Sequence, residues 1–335
     1  MSIRAKISAV SHYVPDKVLT NFDLEKLVDT NDEWIRTRTG IRERRILGPG
    51  KATSDMAAEA VKNLCKQRKI DPLDIEVIIV ATVTPDMFFP STGNLVQEKA
   101  GAKNAWSFDV AAACSGFLFA LTIGTQFIQA GTHKKVVVVG SDKMSSIVNY
   151  TDRNTCVLFG DAAGAVLLEP SEDDHLGIID SMSFSDGSGA EYLMMKGGGS
   201  LFPASLETVA KDWHFIYQDG KSVFKFAVQK MSEVSVNILK KHNYTGDDLK
   251  LFVPHQANLR IIDSAVKKLG IDYNKVMINI DRYGNTTAAT IPLALSEAFL
   301  QGKLEKGDLV LFATFGGGFT WASTLVKWAI DKPSN

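Results

Sequence analysis

The sequence predicts a duplicated α/β protein built from layers of helix and sheet. Two observations lead to this fold class. Continuous apolar runs such as VIIV (77–80) and VVVV (136–139) are typical of strands that helices cover on both faces. An amphipathic helical stretch followed by a buried strand then recurs along the chain, as in a duplicated architecture. We place the boundary between two similar halves at residues 175 and 176, which gives segments 1–175 and 176–335.

In the first half, residues 3–9 alternate apolar and polar side chains and predict a strand. Residues 54–69 predict an amphipathic helix, which leads into a strand within 74–85. The stretch 114–131 predicts a second helix, and 134–144 the strand that follows it. The first half therefore holds two helix–strand pairs after its opening strand.

The second half repeats this order. Residues 222–242 predict an amphipathic helix, and 248–258 contain the strand after it. Residues 285–302 predict a further helix, which leads into a strand within 307–318. The two halves thus share one plan of helix followed by buried strand.

Composition excludes several functional classes. The chain has 37 Lys and Arg against 38 Asp and Glu, so no global charge points to nucleic acid or a membrane surface. No apolar run approaches about 20 residues, and we expect no transmembrane helix. The N-terminus lacks the apolar core of a signal peptide. Three widely spaced cysteines do not form a disulfide framework, which favours a reducing, cytoplasmic location.

Three side chains fall at predicted helix and strand ends. Cys114 lies at the start of one helix, and Asn285 occupies nearly the same place in the second half. His255 follows the strand that precedes the Asn285 helix. A pseudo-twofold relation between the halves could bring the three together at an edge where α/β sheets bind ligands.

Cys114 has the local sequence of a nucleophile. A free thiol has a pKa of about 8.5, and a helix N-terminus is expected to lower it. Small neighbours in AAACSG let a substrate approach the sulfur, which suits formation of a thioester. A buried, inert thiol is nevertheless the commoner fate of a free cysteine. We predict that fate for Cys65, on the apolar face of its helix, and for Cys156, in an apparent buried strand.

The other candidates also have structural alternatives. His255 could be a hydrogen-bonded structural residue, and Asn285 could simply cap its helix. The glycine triplet at 316–318 indicates either an oxyanion site made of backbone N–H groups or a tight turn. No two of the six histidines have metal-ligand spacing, so we expect no metal site.

Taken together, the motifs resemble the β-ketoacyl-acyl carrier protein synthase III family of thiolase-like condensing enzymes. The resemblance runs nearly end to end and rests on six segments: DEWIRTRTGIRER (32–44), DVAAACSGF (109–117), TDRNTCVLFGDAAGAVLL (151–168), VPHQANLRI (253–261), DRYGNTTAA (281–289) and FGGGFTW (315–321). It implies the thiolase-like fold, with five layers in the order α-β-α-β-α.

The resemblance also implies roles for individual residues. The catalytic triad matches Cys114, which is acylated, with His255 and Asn285. The oxyanion hole matches the backbone N–H groups of Cys114 and Gly317. The binding residues match in three groups: coenzyme A contacts Trp34, Arg38 and Arg153; acyl-pocket residues Phe89, Leu158 and Phe159; and carrier-protein docking residues Lys225, Arg260, Lys267 and Lys268. Phe89 is expected to reach across a homodimer into the partner's acyl pocket.

The reaction implied is a decarboxylating Claisen condensation. An acyl-coenzyme A primer, expected to be acetyl-coenzyme A or another short acyl thioester, condenses with malonyl-acyl carrier protein to initiate fatty acid synthesis. The products are 3-ketoacyl-acyl carrier protein, coenzyme A and carbon dioxide, and no metal or organic cofactor is required. One alternative is a specialised homologue that condenses other acyl chains in secondary metabolism. A non-catalytic acyl-coenzyme A binding protein would keep Trp34 and Arg153 but lose the triad.

One segment departs from the family pattern. Residues 191–215 are longer than the usual loop and include Met194, Met195, Leu201 and Phe202. In the family this neighbourhood approaches the acyl pocket or its entrance, so the acyl-chain preference depends on it. The alternative is a surface insertion without effect.

Overall fold

Two large β-sheets organise the chain in the computed structural model, which describes residues 3–332. The strands are β1 Ala5–Tyr13, β2 Val18–Thr20, β3 Glu43–Arg45, β4 Val77–Ala81, β5 Trp106–Val110, β6 Val136–Asp142, β7 Ala162–Pro170, β8 Gly177–Ser185, β9 Leu193–Met195, β10 Ile216–Gln218, β11 Leu251–Pro254, β12 Leu309–Gly316 and β13 Thr320–Lys327. The helices are α1 Asn21–Leu24, α2 Asp32–Thr39, α3 Thr53–Arg68, α4 Thr92–Ala100, α5 Gly116–Gln129, α6 Arg153–Cys156, α7 Leu206–Ala210, α8 Gly220–Lys241, α9 Leu259–Leu269, α10 Ile280–Tyr283 and α11 Thr290–Leu300.

The two sheets share one pairing pattern. The first has the strand order β1-β7-β6-β4-β5, and the second has the order β11-β12-β13-β8. In the first sheet β4 is parallel to β6, which is antiparallel to β7; β11, β12 and β13 repeat this arrangement. The counterpart of β5 is reduced to one parallel bridge between Phe252 and Val276. We propose that the halves divide between Pro170 and Gly177, the interval that contains the boundary expected from the sequence.

Helices and sheets alternate in five layers. Helices α3 and α4 cover the outer face of the first sheet, and α8 and α9 cover the outer face of the second. Between the sheets, Phe117 of α5 and Leu295 of α11 share one buried cluster with Val138 and Phe312. The α-β-α-β-α architecture is therefore confirmed. No helix within residues 3–332 is both long enough and apolar enough to cross a membrane.

Cys156 is buried as predicted, but its predicted strand is wrong. The thiol lies at the end of the short helix α6. The Asp152 side chain accepts hydrogen bonds from the Asn154 N–H (3.0 Å) and the Thr155 hydroxyl (2.7 Å). This cap stabilises a helical turn and overrides the β-propensity of the apolar run that follows. Cys65 is buried on α3, as predicted.

A largely buried ion pair holds the chain before Asn285 against α11. The Glu297 carboxylate accepts hydrogen bonds from Asn279 (2.9 Å), from both Arg282 NH groups (2.7 and 2.8 Å) and from the Tyr283 hydroxyl (2.8 Å). Burial raises the pKa of Glu297, but the hydrogen bonds from Arg282, Asn279 and Tyr283 outweigh it, and the pKa lies below its usual value. The carboxylate is therefore charged at neutral pH.

We expect Glu297→Ala to lower the free energy of unfolding by about 3 kcal/mol, because four donor groups on three residues lose their common acceptor. Urea denaturation measures this loss. Glu233→Ala is the control, since it removes a carboxylate from a more exposed pair with Lys230, and should cost less than about 1 kcal/mol. Because the folded pKa of Glu297 is depressed, its contribution is present above the unfolded pKa and fades as the carboxylate is protonated in acid. Equal losses in the two variants would contradict this interpretation.

Candidate active site

A cavity of about 580 Å³ joins the three candidate catalytic side chains. Cys114 lies in the 3₁₀ turn that leads into α5, and His255 directly follows β11. Asn285 lies just before the turn that leads into α11. All three line the same cavity, so the convergence expected from the pseudo-twofold is present in the structure.

Strand β12 brings His255 and Cys114 together. The His255 N–H donates to the Ala313 carbonyl (2.8 Å), and the Thr314 hydroxyl donates to the Cys114 carbonyl (3.0 Å). Neighbouring residues of one strand therefore hold the two candidates. At Gly316 the strand approaches the turn so closely that a Cβ there would lie 2.8 Å from the Cys114 nitrogen. Only glycine permits this approach.

The glycine triplet forms the connection between β12 and β13. Gly317 lines the cavity beside Cys114, at the position expected for an oxyanion donor. Gly318 has φ of 133°, a conformation that side-chain-bearing residues rarely adopt. The triplet is thus both a tight turn and part of the cavity wall, so the structure contains both features that the sequence indicated.

Asn285 is fixed by its backbone and by its side chain. Its N–H donates to the Leu158 carbonyl (2.8 Å), and its carbonyl accepts from the Gly160 N–H (3.1 Å). Its amide oxygen accepts from the Thr287 N–H (2.9 Å). Because the oxygen of the amide faces this donor, the NH₂ group remains available to donate to a ligand.

The positional counterpart of Cys114 is Ala288, which corrects the expectation that Asn285 occupies nearly the same place. Each interior helix follows a 3₁₀ turn, formed by Ala113–Ser115 in one half and Thr287–Ala289 in the other. The first residue of each turn has positive φ, 47° at Ala113 and 49° at Thr287. Asn285 precedes its turn and reaches the cavity from the preceding loop.

Burial dominates the ionisation of the two titratable candidates. It raises the pKa of the Cys114 thiol to about 12, with a further contribution from the Asp142 carboxylate. A backbone hydrogen bond lowers the pKa of this thiol, as expected for a helix start, but loss of hydration outweighs it and the net pKa is raised. Burial also lowers the pKa of His255 to about 3. The resting pair is a neutral thiol and a neutral imidazole.

The expected coenzyme A residues lie together, with two cations packed against one indole ring. Trp34 lies on α2 and lines the cavity, and the Arg153 guanidinium lies 4.3 Å from its ring centroid. Arg38 also lines the cavity, with its guanidinium 5.8 Å from the same ring. At this distance the guanidinium contacts the indole ring directly, so a planar heteroaromatic group fits between them only when the Arg153 side chain moves off the ring.

Two of the three expected acyl-pocket residues line the cavity, and the third does not. Leu158 and Phe159 line the cavity. Phe89 does not line it within this chain, and 84% of its surface is exposed. A role for Phe89 in an acyl pocket therefore requires a second subunit.

The expected docking residues lie on the outer helices α8 and α9. Lys225, Arg260, Lys267 and Lys268 are all exposed. Arg260 lines the cavity, and its guanidinium lies 4.8 Å from the Phe224 ring centroid. Lys221, which the sequence did not single out, also lines the cavity. The basic residues therefore connect the cavity with the surface of α8 and α9.

Segment 191–215 has two parts. In its first part, β9 forms an antiparallel ribbon with β10, the strand that directly follows the segment. The cavity is lined by Leu193, Met194 and Met195 of β9 and by Ile216 of β10. Beyond the ribbon the segment packs on itself, with the Lys196 ammonium 4.2 Å from the Trp213 ring centroid and the Phe202 and Trp213 rings 4.8 Å apart. The β9 part of the segment therefore forms part of the cavity wall, which agrees with the expectation that this neighbourhood approaches the acyl pocket or its entrance.

Two relevant residues had no distinctive sequence signal. Asp142 and Thr287 lie far apart in the chain, and their side chains meet in the interior beside Asn285. An aspartate at the end of an apolar strand and a threonine in GNTT are common patterns. In residues 3–332, no group of three or more His, Cys, Asp or Glu is arranged to hold a metal ion.

Known proteins resemble this chain over almost its full length. Residues 108–190 match the family 3-oxoacyl-[acyl-carrier-protein] synthase III, and residues 239–328 match its C-terminal domain. The β-ketoacyl-[acyl-carrier-protein] synthase III of Solibacter usitatus is 57% identical, with 97% of this chain and 99% of the relative covered. That of Koribacter versatilis is 55% identical, with coverage of 97% and 98%. The crystal structure of the Aquifex aeolicus synthase III superposes with a TM-score of 0.90 at 44% identity, covering 97% of this chain and 100% of that one.

Proposed function

Because this chain belongs to the 3-oxoacyl-[acyl-carrier-protein] synthase III family, we propose that it condenses an acyl-coenzyme A primer with malonyl-acyl carrier protein. The products are 3-ketoacyl-acyl carrier protein, coenzyme A and carbon dioxide, and the step initiates fatty acid synthesis. The observation that carries this proposal is the convergence of Cys114, His255 and Asn285 in one cavity, which Trp34 and Arg38 also line. A specialised homologue of secondary metabolism is less supported, since the relatives at 55% and 57% identity carry the synthase III name.

The first half-reaction is acyl transfer to Cys114. Its sulfur attacks the thioester carbonyl, and the backbone N–H groups of Cys114 and Gly317 stabilise the oxyanion. Collapse of this intermediate breaks the bond to the coenzyme A sulfur, which takes up the proton that the Cys114 thiol loses. One thioester and one thiol replace another thioester and thiol, so no net proton change occurs. The thiolate forms only during attack, when charge moves from the sulfur toward the oxyanion donors.

The second half-reaction forms the carbon–carbon bond. Asn285 and His255 donate hydrogen bonds to the thioester oxygen of malonyl-acyl carrier protein as carbon dioxide leaves. The resulting enolate carbon attacks the acyl group on Cys114, and the released thiolate regains a proton from solvent. Because the pKa of His255 is about 3, its imidazole is a poor base and suits the role of neutral donor. Neutral donors stabilise the enolate and, unlike a carboxylate, add no negative charge that would repel it.

The residues that line the cavity support the remaining substrate contacts of this proposal. The Arg153 side chain moves off the Trp34 ring when coenzyme A binds, the adenine then stacks between the two groups, and Arg38 binds the phosphates. The acyl chain lies against Leu158 and Phe159. Met194, Met195 and Leu193 of the ribbon face the same space, and their shape and flexibility influence which primer fits.

The exposed apolar edge of the first sheet supports a homodimer. β5 is the edge strand of that sheet, and Trp106 at its start is 46% exposed. Phe88 and Phe89, just before α4, are 79% and 84% exposed. An unpaired edge beside large apolar side chains favours association. In the dimer, Phe89 enters the acyl pocket of the partner.

We expect the protein to act without a cofactor and in the cytoplasm. The two hydrogen-bond donors supply the stabilisation that the enolate needs, so the reaction proceeds without a metal or organic prosthetic group. The cysteines described, Cys65, Cys114 and Cys156, are free thiols. A reducing cytoplasm would maintain the nucleophile in its active form.

The function is tested by mixing the full-length protein with acetyl-coenzyme A and malonyl-acyl carrier protein. We expect equimolar release of coenzyme A and carbon dioxide, and 3-ketoacyl-acyl carrier protein detected by mass spectrometry. Release of coenzyme A by hydrolysis, with no 3-ketoacyl product, would contradict the proposal.

We expect Arg260→Glu to raise the apparent KM for malonyl-acyl carrier protein about tenfold, because it reverses a charge that an acidic partner meets. The KM for acyl-coenzyme A should change by less than about twofold, and the difference should shrink at high salt. Lys62→Glu on α3 is the matched control, because it makes the same charge change on an exposed helix of the opposite outer layer. An unchanged carrier-protein KM in Arg260→Glu would remove this residue from docking.

A further inference from the structure

Asp142, at the end of β6, is fully buried and links the two halves of the molecule. One oxygen accepts hydrogen bonds from the hydroxyls of Thr82 and Thr84 (2.9 Å each) and from the N–H groups of Val83 (2.8 Å) and Thr84 (3.1 Å). The other accepts from the Thr287 hydroxyl and the Ala288 N–H (3.2 Å). All six partners are donors, which is the arrangement that an ionised carboxylate satisfies.

Thr287 connects Asp142 to Asn285 through two hydrogen bonds. Its hydroxyl donates to Asp142, and its N–H donates to the amide oxygen of Asn285. Its φ of 49° is unusual for a β-branched residue, so the backbone needs a local restraint to stay there. The paired bonds from Thr287 and Ala288 to Asp142 supply it.

We propose that Asp142 and Thr287 are positioning residues that fix the side-chain amide of Asn285 with its NH₂ group toward the malonyl thioester. This inference rests on the proposed function and concerns its second half-reaction. If the Thr287 N–H moves, the amide of Asn285 can rotate and present its oxygen to the enolate. That oxygen would repel the developing charge, whereas the NH₂ group stabilises it.

Acyl transfer to Cys114 should depend less on this chain of hydrogen bonds, although the turn that carries Cys114 packs against the Thr287–Ala289 turn. The turn that carries Cys114 is held by Thr314 and packs against Gly316, and none of the Asp142 hydrogen bonds reaches it. The Asp142 charge raises the pKa of the Cys114 thiol, so weakening the carboxylate would not hinder formation of the thiolate. The two half-reactions therefore respond differently to loss of the Thr287 bond.

The test compares Thr287→Val with Thr287→Ser. Acylation is followed by the mass of the acyl-enzyme, and decarboxylation by labelled carbon dioxide from malonyl-acyl carrier protein. We expect the valine variant to lose decarboxylation by about tenfold to a hundredfold and to keep acylation within about twofold. Serine, which restores the hydroxyl, should recover most of the decarboxylation rate.

Thr286→Val is the matched control. It removes an adjacent buried hydroxyl, which pairs with Thr290 (3.2 Å) and not with Asp142, and it should leave the ratio of the two rates unchanged. Equal losses of both rates in Thr287→Val, the same split in Thr286→Val, or no recovery with serine would each overturn the positioning role. If Thr287→Val does not fold, the acylation and decarboxylation rates of Thr287→Ala are measured instead, and the same criteria apply. A wild-type protein that never decarboxylates malonyl-acyl carrier protein would instead overturn the proposed function.

Discussion

Replacing Cys114 with alanine will abolish acyl transfer from acyl-coenzyme A and lower condensation by more than about 10⁴-fold, because the group that forms the thioester is gone. Intact-mass spectrometry after incubation with acyl-coenzyme A will show the added acyl mass on the wild-type protein only. The buried surroundings of Cys114 accommodate alanine without a new polar group, so the variant should fold.

Cys156→Ala is the control for this result. Its thiol is also buried, but it lies on α6 and does not line the cavity. We expect this variant to acquire the acyl mass at the wild-type rate. Acyl chain bound covalently to Cys114→Ala would exclude Cys114 as the nucleophile.

Replacing Asn285 or His255 with alanine will preserve acylation but slow decarboxylation of malonyl-acyl carrier protein by about 10²–10³-fold for each donor lost. Release of labelled carbon dioxide from the preloaded acyl-enzyme measures the loss. Asn285→Asp should be at least as impaired as Asn285→Ala, because a carboxylate opposes the enolate charge. Release of carbon dioxide at the wild-type rate from either alanine variant would remove that residue from the role.

The pH dependence of the same step tests the ionisation of His255. Because the pKa of His255 is about 3, its imidazole stays neutral as the pH falls through the ordinary histidine range. The decarboxylation rate of the wild-type acyl-enzyme should therefore show no histidine inflection between about pH 5.5 and 8. A loss of rate with a midpoint near 6.5 would show that the imidazole is more hydrated than the structure indicates.

Much of the fold was predictable because its signals are local. The runs at 77–80 and 136–139 form strands covered on both faces, and the helix predicted over 54–69 corresponds to α3. Cys156 was misplaced because the capping bond that Asp152 accepts from the Asn154 N–H depends on side-chain geometry that β-propensity does not describe. The repeat was also visible, because each half places a buried helix and then a buried strand in the same order.

The candidate site was only partly predictable. The repeat and the family motifs identified Cys114, His255 and Asn285, which line one cavity. The raised pKa of Cys114 was not predictable, since it depends on burial of the thiol by segments that are distant in the sequence. Asp142 also escaped prediction, because its partners lie in two other segments that meet only after the halves pack together.

The most direct test of the central claim follows the acyl group on one peptide. Residues 104–134 form a tryptic peptide with Cys114 as its only cysteine. After exposure to a mixed panel of acyl-coenzyme A thioesters, fragmentation of this peptide should locate one acyl group on Cys114 and identify the preferred primer. Addition of malonyl-acyl carrier protein should then remove that group and yield an equal amount of 3-ketoacyl-acyl carrier protein. An acyl group on another residue, or one that malonyl-acyl carrier protein leaves in place, would contradict the account.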